Sequence, residues 1–332
     1  MASRVEVEEV ADSSDWDRRV WACPGANIYC GSAWGAYKTR RGLKVRRGVV
    51  TADGEVLAFV QWQEHRKGPA RFVYVQGGPL LTETGARRAE AAFAAFIAHL
   101  DLGRFDLLGI NYERFETRDA TLALLMHGFA PIVQARDHTL ELDLTPDLAV
   151  IQTEMEQRWR KALRKAEGNT ALTTHFLEDR DERLSAFDDF TAMYAALRAR
   201  KGFASSLRTD AFREIAADDE HLLFLDVSEN GKRVLVRIAH LSAERCTDFY
   251  TASNDRARAT GAATLAVWRI VERAKAEGCR IFDLGGIDPA ANRAVFEFKR
   301  GLSRNVVQND PLWLYGKSPT ARKLGTLLFS LR

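Results

Sequence analysis

Length, composition and charge narrow the class of protein. At roughly 150 residues per domain, a chain of 332 residues is expected to form two domains. Hydrophobic residues make up 46% of the chain and charged residues 28%, which excludes collagen-like, low-complexity and wholly disordered proteins. The formal net charge of +3 gives no overall attraction for nucleic acid, so a basic surface would have to be local.

The sequence carries no signal for membrane insertion or for a metal site. No apolar run approaches the roughly 18 residues of a membrane span, and the N-terminal segment MASRVEVEEVADSSDW is acidic. The four cysteines have neither zinc-ligand spacing nor the pattern of a disulfide framework, and the histidines are scattered. We therefore expect a cytoplasmic protein with reduced thiols and no metal.

The chain contains two copies of one structural plan. The segment FDLLGIN at residues 105–111 matches FDLGGID at 282–288 in five of seven positions, an offset of 177 residues. The same offset relates Asp-Gly at residues 53–54 to Asn-Gly at 230–231, and each pair is a hairpin signal between apolar runs. Matches in the same order and register favour a tandem repeat over two unrelated α/β domains.

Each copy is predicted to run hairpin, strand, helix, strand, helix and final strand, which indicates mixed sheets with helices packed on them. In the first copy the elements after the hairpin are predicted at residues 71–76, 84–100, 105–110, 119–127 and 131–142. In the second copy they are predicted at residues 247–252, 261–278, 280–284, 289–300 and 306–315. Residues 148–218, which hold three predicted helices, have no counterpart in the first copy.

The first of these three helices is strongly basic on one side. At about 100° per residue, one half of the helix carries only apolar residues, from Met155 to Ala166. The other half carries five cations, Arg158, Arg160, Lys161, Arg164 and Lys165. Such a face suits a phosphate backbone, such as the acceptor end of tRNA, or an anionic nucleotide-sugar lipid, and its alternative role is to keep the protein soluble.

The order of the elements resembles the GNAT acyltransferase fold. The tandem arrangement and the segments WRKALRKAE, FYTASN, FDLGGIDP and FEFKRGL together resemble the Fem family of non-ribosomal peptidyl transferases. The resemblance implies an α/β protein of two tandem GNAT-like domains with mixed sheets. It also implies transfer of an amino acid from aminoacyl-tRNA to an amine of a peptidoglycan precursor, without a cofactor. The acceptor would be an anionic nucleotide-sugar or a lipid-linked peptide.

For such a transfer, a cation beside the oxyanion that forms when an amine attacks the ester carbonyl is enough, and no metal or covalent nucleophile is required. The resemblance implies that the pair Phe298-Lys299 of FEFKRGL lies at the transfer centre. Independently, Lys299 lies at the edge of the apolar stripe of the helix predicted at residues 289–300, where it would be partly buried. This stripe consists of Ala291, Ala294, Val295, Phe298 and Leu302. An exposed helix lysine is the alternative.

The resemblance implies acceptor contacts in three further segments. In GSAWGAYK, Lys38 would reach precursor phosphates with Trp34 beside it, and in RARKGF the phosphate-binding arginine would be Arg200. In FYTASN, Tyr250 would contact the acceptor. The alternatives are a surface cation for Lys38, a helix C-terminal charge for Arg200 and sheet core for Tyr250.

Three more acceptor contacts are expected: Asn111 at the end of a predicted strand, Asp288 just before the helix predicted at residues 289–300, and Asn292 within that helix. Asp288 is also a natural N-cap for the following helix. The first-copy strand ends in Asn111-Tyr112, where the Fem family more often has an Asp-Pro pair, and this departure leaves the native acceptor open.

One feature favours a different donor. Residues 258–263 read R-A-T-G-A-A and fit the GNAT pattern R-x-x-G-x-A, in which backbone N–H groups at a helix N-terminus hold the pyrophosphate of coenzyme A. Arg258 and Gly261 are therefore further donor-site candidates. No G-x-G-x-x-G, G-x-S-x-G, H-E-x-x-H or C-x-x-C motif is present, which argues against dinucleotide binding, hydrolase chemistry and metal chemistry.

The sequence therefore predicts a first domain at residues 1–145, with a C-terminal helix in 317–332 packing back on it, and a second domain at 146–316. The favoured function is a tRNA-dependent aminoacyltransferase. The alternatives are an acyl-CoA-dependent N-acyltransferase acting on a small amine and a non-catalytic RNA-binding module.

Overall fold

The computed structural model describes residues 5–23, 25–112, 118–132, 138–201 and 207–330, apart from the side chains of residues 118, 119, 201 and 330. The strands are β1 Val5–Glu9, β2 Lys44–Ala52, β3 Glu55–Lys67, β4 Ala70–Gln76, β5 Leu80–Leu81, β6 Leu107–Asn111, β7 Ala130–Ile132, β8 His138–Asp143, β9 Leu172–Leu177, β10 Leu222–Glu229, β11 Lys232–Leu241, β12 Arg245–Ser253, β13 Ile281–Gly286, β14 Asn305–Gln308 and β15 Leu312–Tyr315. The helices are α1 Ser13–Trp21, α2 Ser32–Arg40, α3 Glu83–Arg87, α4 Ala89–His99, α5 Arg118–Met126, α6 Leu148–Glu154, α7 Gln157–Glu167, α8 Arg180–Lys201, α9 Thr209–Asp218, α10 Asp255–Thr260, α11 Ala262–Ala276, α12 Arg293–Leu302 and α13 Pro319–Ser330.

The chain divides into two units. The first unit comprises residues 1–137 and 308–332, and the second comprises residues 138–307. In the part of the chain that the structure describes, no helix is long and apolar enough to cross a membrane.

The first unit is built on a mixed sheet with strand order β1-β2-β3-β4-β6-β15-β7. Its hairpin turns at Asp53 and Gly54, whose φ angles of 52° and 83° are those of the tight turn predicted from the Asp-Gly pair. Strands β4 and β6 run parallel, joined by α3 and α4. Phe96 of α4 packs on Trp62 of β3, and neighbouring strand residues point to the opposite face.

The second unit repeats this sheet with strand order β9-β10-β11-β12-β13-β8-β14. Its hairpin turns at Asn230 and Gly231, with φ angles of 49° and 76°. Helices α7 and α11 cover one face of the sheet, and α8 and α9 cover the other, where Phe187 and Phe212 are buried. The predicted class, two tandem domains with mixed sheets, is confirmed.

The two copies exchange their final strands. Strand β8 ends the first copy but pairs antiparallel with β13 of the second unit, and β15 ends the second copy but pairs antiparallel with β6 of the first unit. The single strand predicted at residues 131–142 is therefore two strands, β7 and β8, in different sheets. The unit boundaries accordingly fall at 137/138 and 307/308, not at 145/146 and 316/317.

Two other expectations are corrected by the structure. Among the described elements of residues 148–218, only α6 and α7 lack a counterpart in the first copy, because β9-α8-α9 precede the second hairpin as β1-α1-α2 precede the first. The helix predicted from residue 289 begins at Arg293, because Asp288 accepts hydrogen bonds from Ala290 N and Ala291 N and so caps a separate turn.

The C-terminal helix α13 belongs to the first unit. Gly325 packs so closely on this sheet that a Cβ there would lie 2.8 Å from side-chain atoms of both Leu107 and Leu314. Phe329 adds a ring contact with Phe72 of β4, with centroids 5.1 Å apart.

Candidate functional site

The parallel strands of the second unit stop pairing part-way along their length. Strands β12 and β13 pair at only three positions, the last being Thr247 with Asp283, although both strands continue. In the first unit the corresponding strands β4 and β6 pair over five positions, from Phe72–Leu107 to Gln76–Asn111. Beyond Thr247 and Asp283, β12 and β13 therefore continue without register pairing at the carboxyl ends of two parallel strands, a common location for a ligand. We call this unpaired stretch the gap between β12 and β13.

Lys299 of α12 extends its amine to this gap. The half-buried side chain donates hydrogen bonds from Nζ to Gly285 O at 3.0 Å and to Gly286 O at 2.9 Å. An ammonium group has three N–H bonds, and no other acceptor for it is found among the described residues. One N–H of the amine therefore remains available to an external hydrogen-bond acceptor.

Gly285 allows the strand to approach this amine. Its φ angle of +74° lies in the left-handed region, which favours glycine. A Cβ there would lie 2.9 Å from Asp248 O and 3.6 Å from Lys299 Nζ. The side chain of any other residue at this position would clash with the backbone of β12 and lie against the amine of Lys299.

Two acidic groups and an arginine surround the base of the gap. Arg237 is 6% exposed and forms a paired contact with Asp248, with Nε donating to Oδ1 at 2.9 Å and Nη2 donating to Oδ2. Asp283 accepts hydrogen bonds from Gly285 N at 2.8 Å and from Thr139 Oγ1. These contacts fix the backbone that holds Lys299.

Burial lowers the pKa of Lys299 from its usual value of 10.5. The carboxylates of Asp248 and Asp283 oppose this change, whereas Arg237 adds to it. Lys299 is thus a desolvated cation whose charge is maintained by neighbouring carboxylates and backbone carbonyls.

The Lys299 helix packs directly on the basic helix α7. Trp159 donates from Nε1 to Phe298 O at 3.2 Å, and the Trp159 and Phe298 rings lie 5.9 Å apart. A Cβ at Gly301 would lie 2.9 Å from Trp159 Cδ1, so the two helices are in close contact. Phe298 thus packs α12 against α7.

Helix α7 has the two faces that the sequence predicts. Trp159, Leu163 and Ala166 are buried, whereas four of the cations are exposed and Arg160, which donates to Thr153 O, is half-buried. Within the described parts of the chain, the four exposed cations form no ion pair; they are Arg158, Lys161, Arg164 and Lys165. Their charge is therefore available to an external anion.

The end of α7 also covers the turn that could hold coenzyme A. Gly261 lies between α10 and α11 with a φ angle of +82°, and a Cβ there would lie 3.1 Å from the Cβ of Ala166. Ala262, the first residue of α11, is fully buried, and Arg258 is exposed. The helix N-terminus is thus packed by protein on the side facing α7.

The remaining predicted residues of the second unit lie in varied surroundings. Arg200 is exposed at the end of α8 and pairs with Asp255. Tyr250 is half-buried among aromatic rings, 5.5 Å from the centroid of Phe212. Asp288 and Asn292 are exposed in the turn before α12.

Three predicted acceptor contacts lie in the first unit. Lys38 Nζ is 4.8 Å from the ring centroid of buried Trp34, a cation–π contact. Burial, with Arg41 nearby, lowers the pKa of Lys38 to about 8. Asn111 donates from Nδ2 to Asp310 O at 3.4 Å, which orients its side chain at the end of β6.

The sequence reasoning missed Arg237, Asp248 and Gly285. A signal was present, because Arg237 is a lone charged residue inside the apolar run VLVRIAHL, and a buried charge requires a partner. The partner could not be identified from the sequence, because Asp248 lies on the neighbouring strand and the pairing depends on register.

Comparison with known proteins defines the class of fold. Residues 154–300 match the family described as "Acetyltransferase (GNAT) domain". A search of curated proteins by sequence finds no match. Together with the two sheets described above, this match identifies two tandem GNAT-like acyltransferase domains.

Three solved structures share this fold. FemX has a TM-score of 0.77 at 15% identity, covering 96% of this chain and 100% of FemX. L-PGS from Bacillus licheniformis has a TM-score of 0.59 at 14% identity, covering 98% of this chain and 99% of L-PGS. A tandem GNAT protein from the clavulanic acid biosynthesis pathway has a TM-score of 0.51 at 13% identity, covering 95% of this chain and 99% of that protein.

Proposed function

We propose that this chain is an aminoacyltransferase that moves an amino acid from aminoacyl-tRNA to an amine of a peptidoglycan precursor or a related acceptor. The observation that carries the proposal is Lys299, a desolvated cation with one unused N–H at the gap between β12 and β13. Because charged tRNA is a cytoplasmic molecule, the reaction would take place in the cytoplasm.

In the proposed reaction the acceptor amine attacks the carbonyl carbon of the ester that links the amino acid to the tRNA. A C–N bond forms, the carbonyl electrons move onto oxygen, and the unused N–H of Lys299 donates to that oxyanion. When the carbonyl re-forms, the ester C–O bond breaks and the tRNA hydroxyl leaves. The proton lost by the amine is taken up by the leaving oxygen. Because the ester is already activated, the enzyme needs mainly to position the two substrates and to stabilise the oxyanion.

The basic surface of α7 supports tRNA as the donor. Its exposed cations form no ion pair with any described residue, and its buried face packs through Trp159 on α12, so a phosphate backbone bound to α7 would lie on a helix that directly contacts the helix of Lys299. The close approach of Ala166 to Gly261 supports the same choice, because it takes up room beside the turn that a coenzyme A pyrophosphate would use.

For the acceptor, we propose the residues that the Fem resemblance implies. In the first unit Lys38 and Trp34 would contact an anionic nucleotide-sugar or lipid-linked peptide. In the second unit Arg200 and Tyr250 would do so, and Arg200 would first have to release Asp255. Asn111, Asp288 and Asn292 would add polar contacts.

The substitution Lys299→Met tests the proposal. It keeps the length of the side chain and removes its charge, and loss of one oxyanion-stabilising donor costs roughly 10²–10³ in rate. Lys275→Met is a matched control, because Lys275 is also half-buried in the second unit and also donates to backbone carbonyls, Leu144 O at 2.7 Å and Thr145 O at 3.4 Å. The role of Lys299 would be contradicted if the transfer rate fell by the same factor in both variants, or if it fell in neither variant.

The second candidate is an acyl-CoA-dependent N-acyltransferase. The match of residues 154–300 to the GNAT acetyltransferase domain and the pattern at residues 258–263 favour it. Titration of coenzyme A into the protein by calorimetry separates the two candidates. Saturable binding that Arg258→Gln weakens would favour acyl-CoA, and no saturable heat is expected for the tRNA-dependent enzyme.

A further inference from the structure

Exposed apolar side chains are concentrated on two helices of the first unit. Among the described residues, nine large hydrophobic side chains are exposed, and six of them belong to α5 and α13. We call these six residues the leucine face; they are Leu122, Leu125 and Met126 of α5 and Leu324, Leu327 and Leu328 of α13. Each is between 51% and 58% exposed. An apolar surface of this kind marks an interaction site.

These residues are not needed for packing within the first unit. Helix α5 already buries Ala123 and Leu124 on its inner side. Helix α13 already packs on the sheet through Gly325 and Phe329. Both helices therefore have an inner face that is already packed against the first unit. Each also has a second apolar face directed to solvent, where most helices carry polar residues.

The two exposed faces belong to neighbouring helices. Arg322 of α13 donates from Nη1 to Gly128 O at 2.8 Å, and Gly128 lies two residues beyond the end of α5. This bond fixes the first half of α13 beside the end of α5. The leucine face is thus presented by two adjoining helices of one unit.

In the chain segment that carries α13, all charged side chains are positive. Residues 311–332 include four cations, Lys317, Arg322, Lys323 and Arg332, and no acidic residue. Lys323 is exposed and makes no ion pair with any described residue, and Lys317 is 52% exposed with a 3.9 Å contact to Asp101. A partner for this surface must therefore combine apolar and anionic character.

We propose that the leucine face docks on the surface of an anionic lipid bilayer. The leucines and Met126 enter the apolar boundary of the bilayer, and Lys323 and Lys317 meet the phosphate headgroups. A second copy of the chain fits less well, because a symmetric contact would bring the same cations of both copies together. This docking is peripheral and goes beyond the proposed transfer reaction.

Flotation of the full-length protein with vesicles tests the proposal. We expect it to float with phosphatidylcholine vesicles that contain phosphatidylglycerol and to float poorly with phosphatidylcholine alone. The variant Leu324→Gln/Leu327→Gln/Leu328→Gln should lower the partition coefficient at least about tenfold, because each side chain loses interfacial burial. Lys317→Glu/Lys323→Glu should weaken binding to the anionic vesicles only.

The matched control is Val150→Gln/Val306→Gln, which removes two exposed apolar side chains of the second unit, 46% and 55% exposed, and should bind like the original chain. Equal flotation of the triple variant and the original chain would overturn the proposal. A second contradicting result would be that, without vesicles, light scattering shows the original chain as a dimer and the triple variant as a monomer. No transfer substrate is present, so the result does not depend on the proposed reaction.

Discussion

At the scale of single residues, the charge of Lys299 determines how the rate should respond to pH. The oxyanion needs the ammonium form, and burial lowers the pKa of this group below 10.5. We therefore expect transfer to decline with rising pH through that lowered pKa. Lys299→Arg, whose guanidinium stays charged, should lose this decline even if its rate is reduced. A pH–rate profile of the two proteins makes the comparison, and identical alkaline limbs would contradict a cationic role.

The same shift predicts how stability depends on pH. Because the pKa of Lys299 is lower in the folded chain than in the unfolded chain, the unfolded chain binds more protons between the two values. The free energy of unfolding contributed by this group therefore rises as pH increases through that window. Lys299→Met should remove the rise, which urea unfolding at several alkaline pH values measures. A rise of the same size in Lys299→Met would assign it to other groups.

The Arg237–Asp248 pair is a residue-scale feature with a large expected effect on stability. Asp248→Asn leaves Arg237 buried without its counter-charge and should cost about 3–5 kcal/mol in the free energy of unfolding. The double variant Arg237→Met/Asp248→Leu removes both charges and should recover most of this loss. Urea denaturation of both variants measures the difference, and a double variant no more stable than Asp248→Asn would contradict this explanation.

At the scale of elements, helix α7 should set the salt dependence of donor binding. Lys161, Arg164 and Lys165 are exposed and unpaired among the described residues, whereas Arg160 already donates to Thr153 O. Changing these three to glutamine should reduce the slope of log affinity against log salt by roughly 0.7–0.9 per lost phosphate contact. The control is Lys44→Gln/Lys67→Gln/Lys232→Gln, three exposed strand lysines. Equal slopes for both triple variants would mean that α7 is only a solvated face.

Several elements were predictable because their signals are local. The two hairpin turns follow from Asp-Gly and Asn-Gly pairs, and the two faces of α7 follow from helical spacing. The start of α12 was not predictable in the same way. Asp288 and Pro289 are a good start signal, but Asp288 caps a separate turn, and Ala291 is exposed where the predicted stripe requires burial. The partly buried position predicted for Lys299 is confirmed because the stripe continues correctly through Phe298 and Leu302.

At the scale of the whole molecule, the exchange of final strands was not readable from the sequence. Strands β8 and β15 have an apolar pattern that would fit the sheet of either unit. No residue within or beside these strands indicates which neighbouring strand each of them pairs with. For the same reason the strand gap beside Lys299 was not predicted, since it depends on where β12 and β13 stop pairing. The tandem repeat was readable because it rests on short motifs at a constant offset.

The strand exchange predicts which segment of the chain can fold alone. Residues 138–307 contain the strands of the second sheet, including β8 between β13 and β14, except for Gln308, the last residue of β14. Residues 146–316, the domain expected from the sequence, lack β8 and leave β13 without a neighbour on that side. The first segment should unfold cooperatively in urea and the second should not. Equal cooperativity of the two segments would mean that β8 is dispensable.

Identifying the donor substrate is the most direct test of the proposed function for the molecule as a whole. The full-length protein is incubated with a panel of amines and either charged tRNA or acyl-CoA, with and without ribonuclease, and the product is identified by mass spectrometry. The proposed mechanism predicts an amide product from charged tRNA that disappears with ribonuclease and falls by roughly 10²–10³ in Lys299→Met. A product that survives ribonuclease and requires acyl-CoA would contradict it.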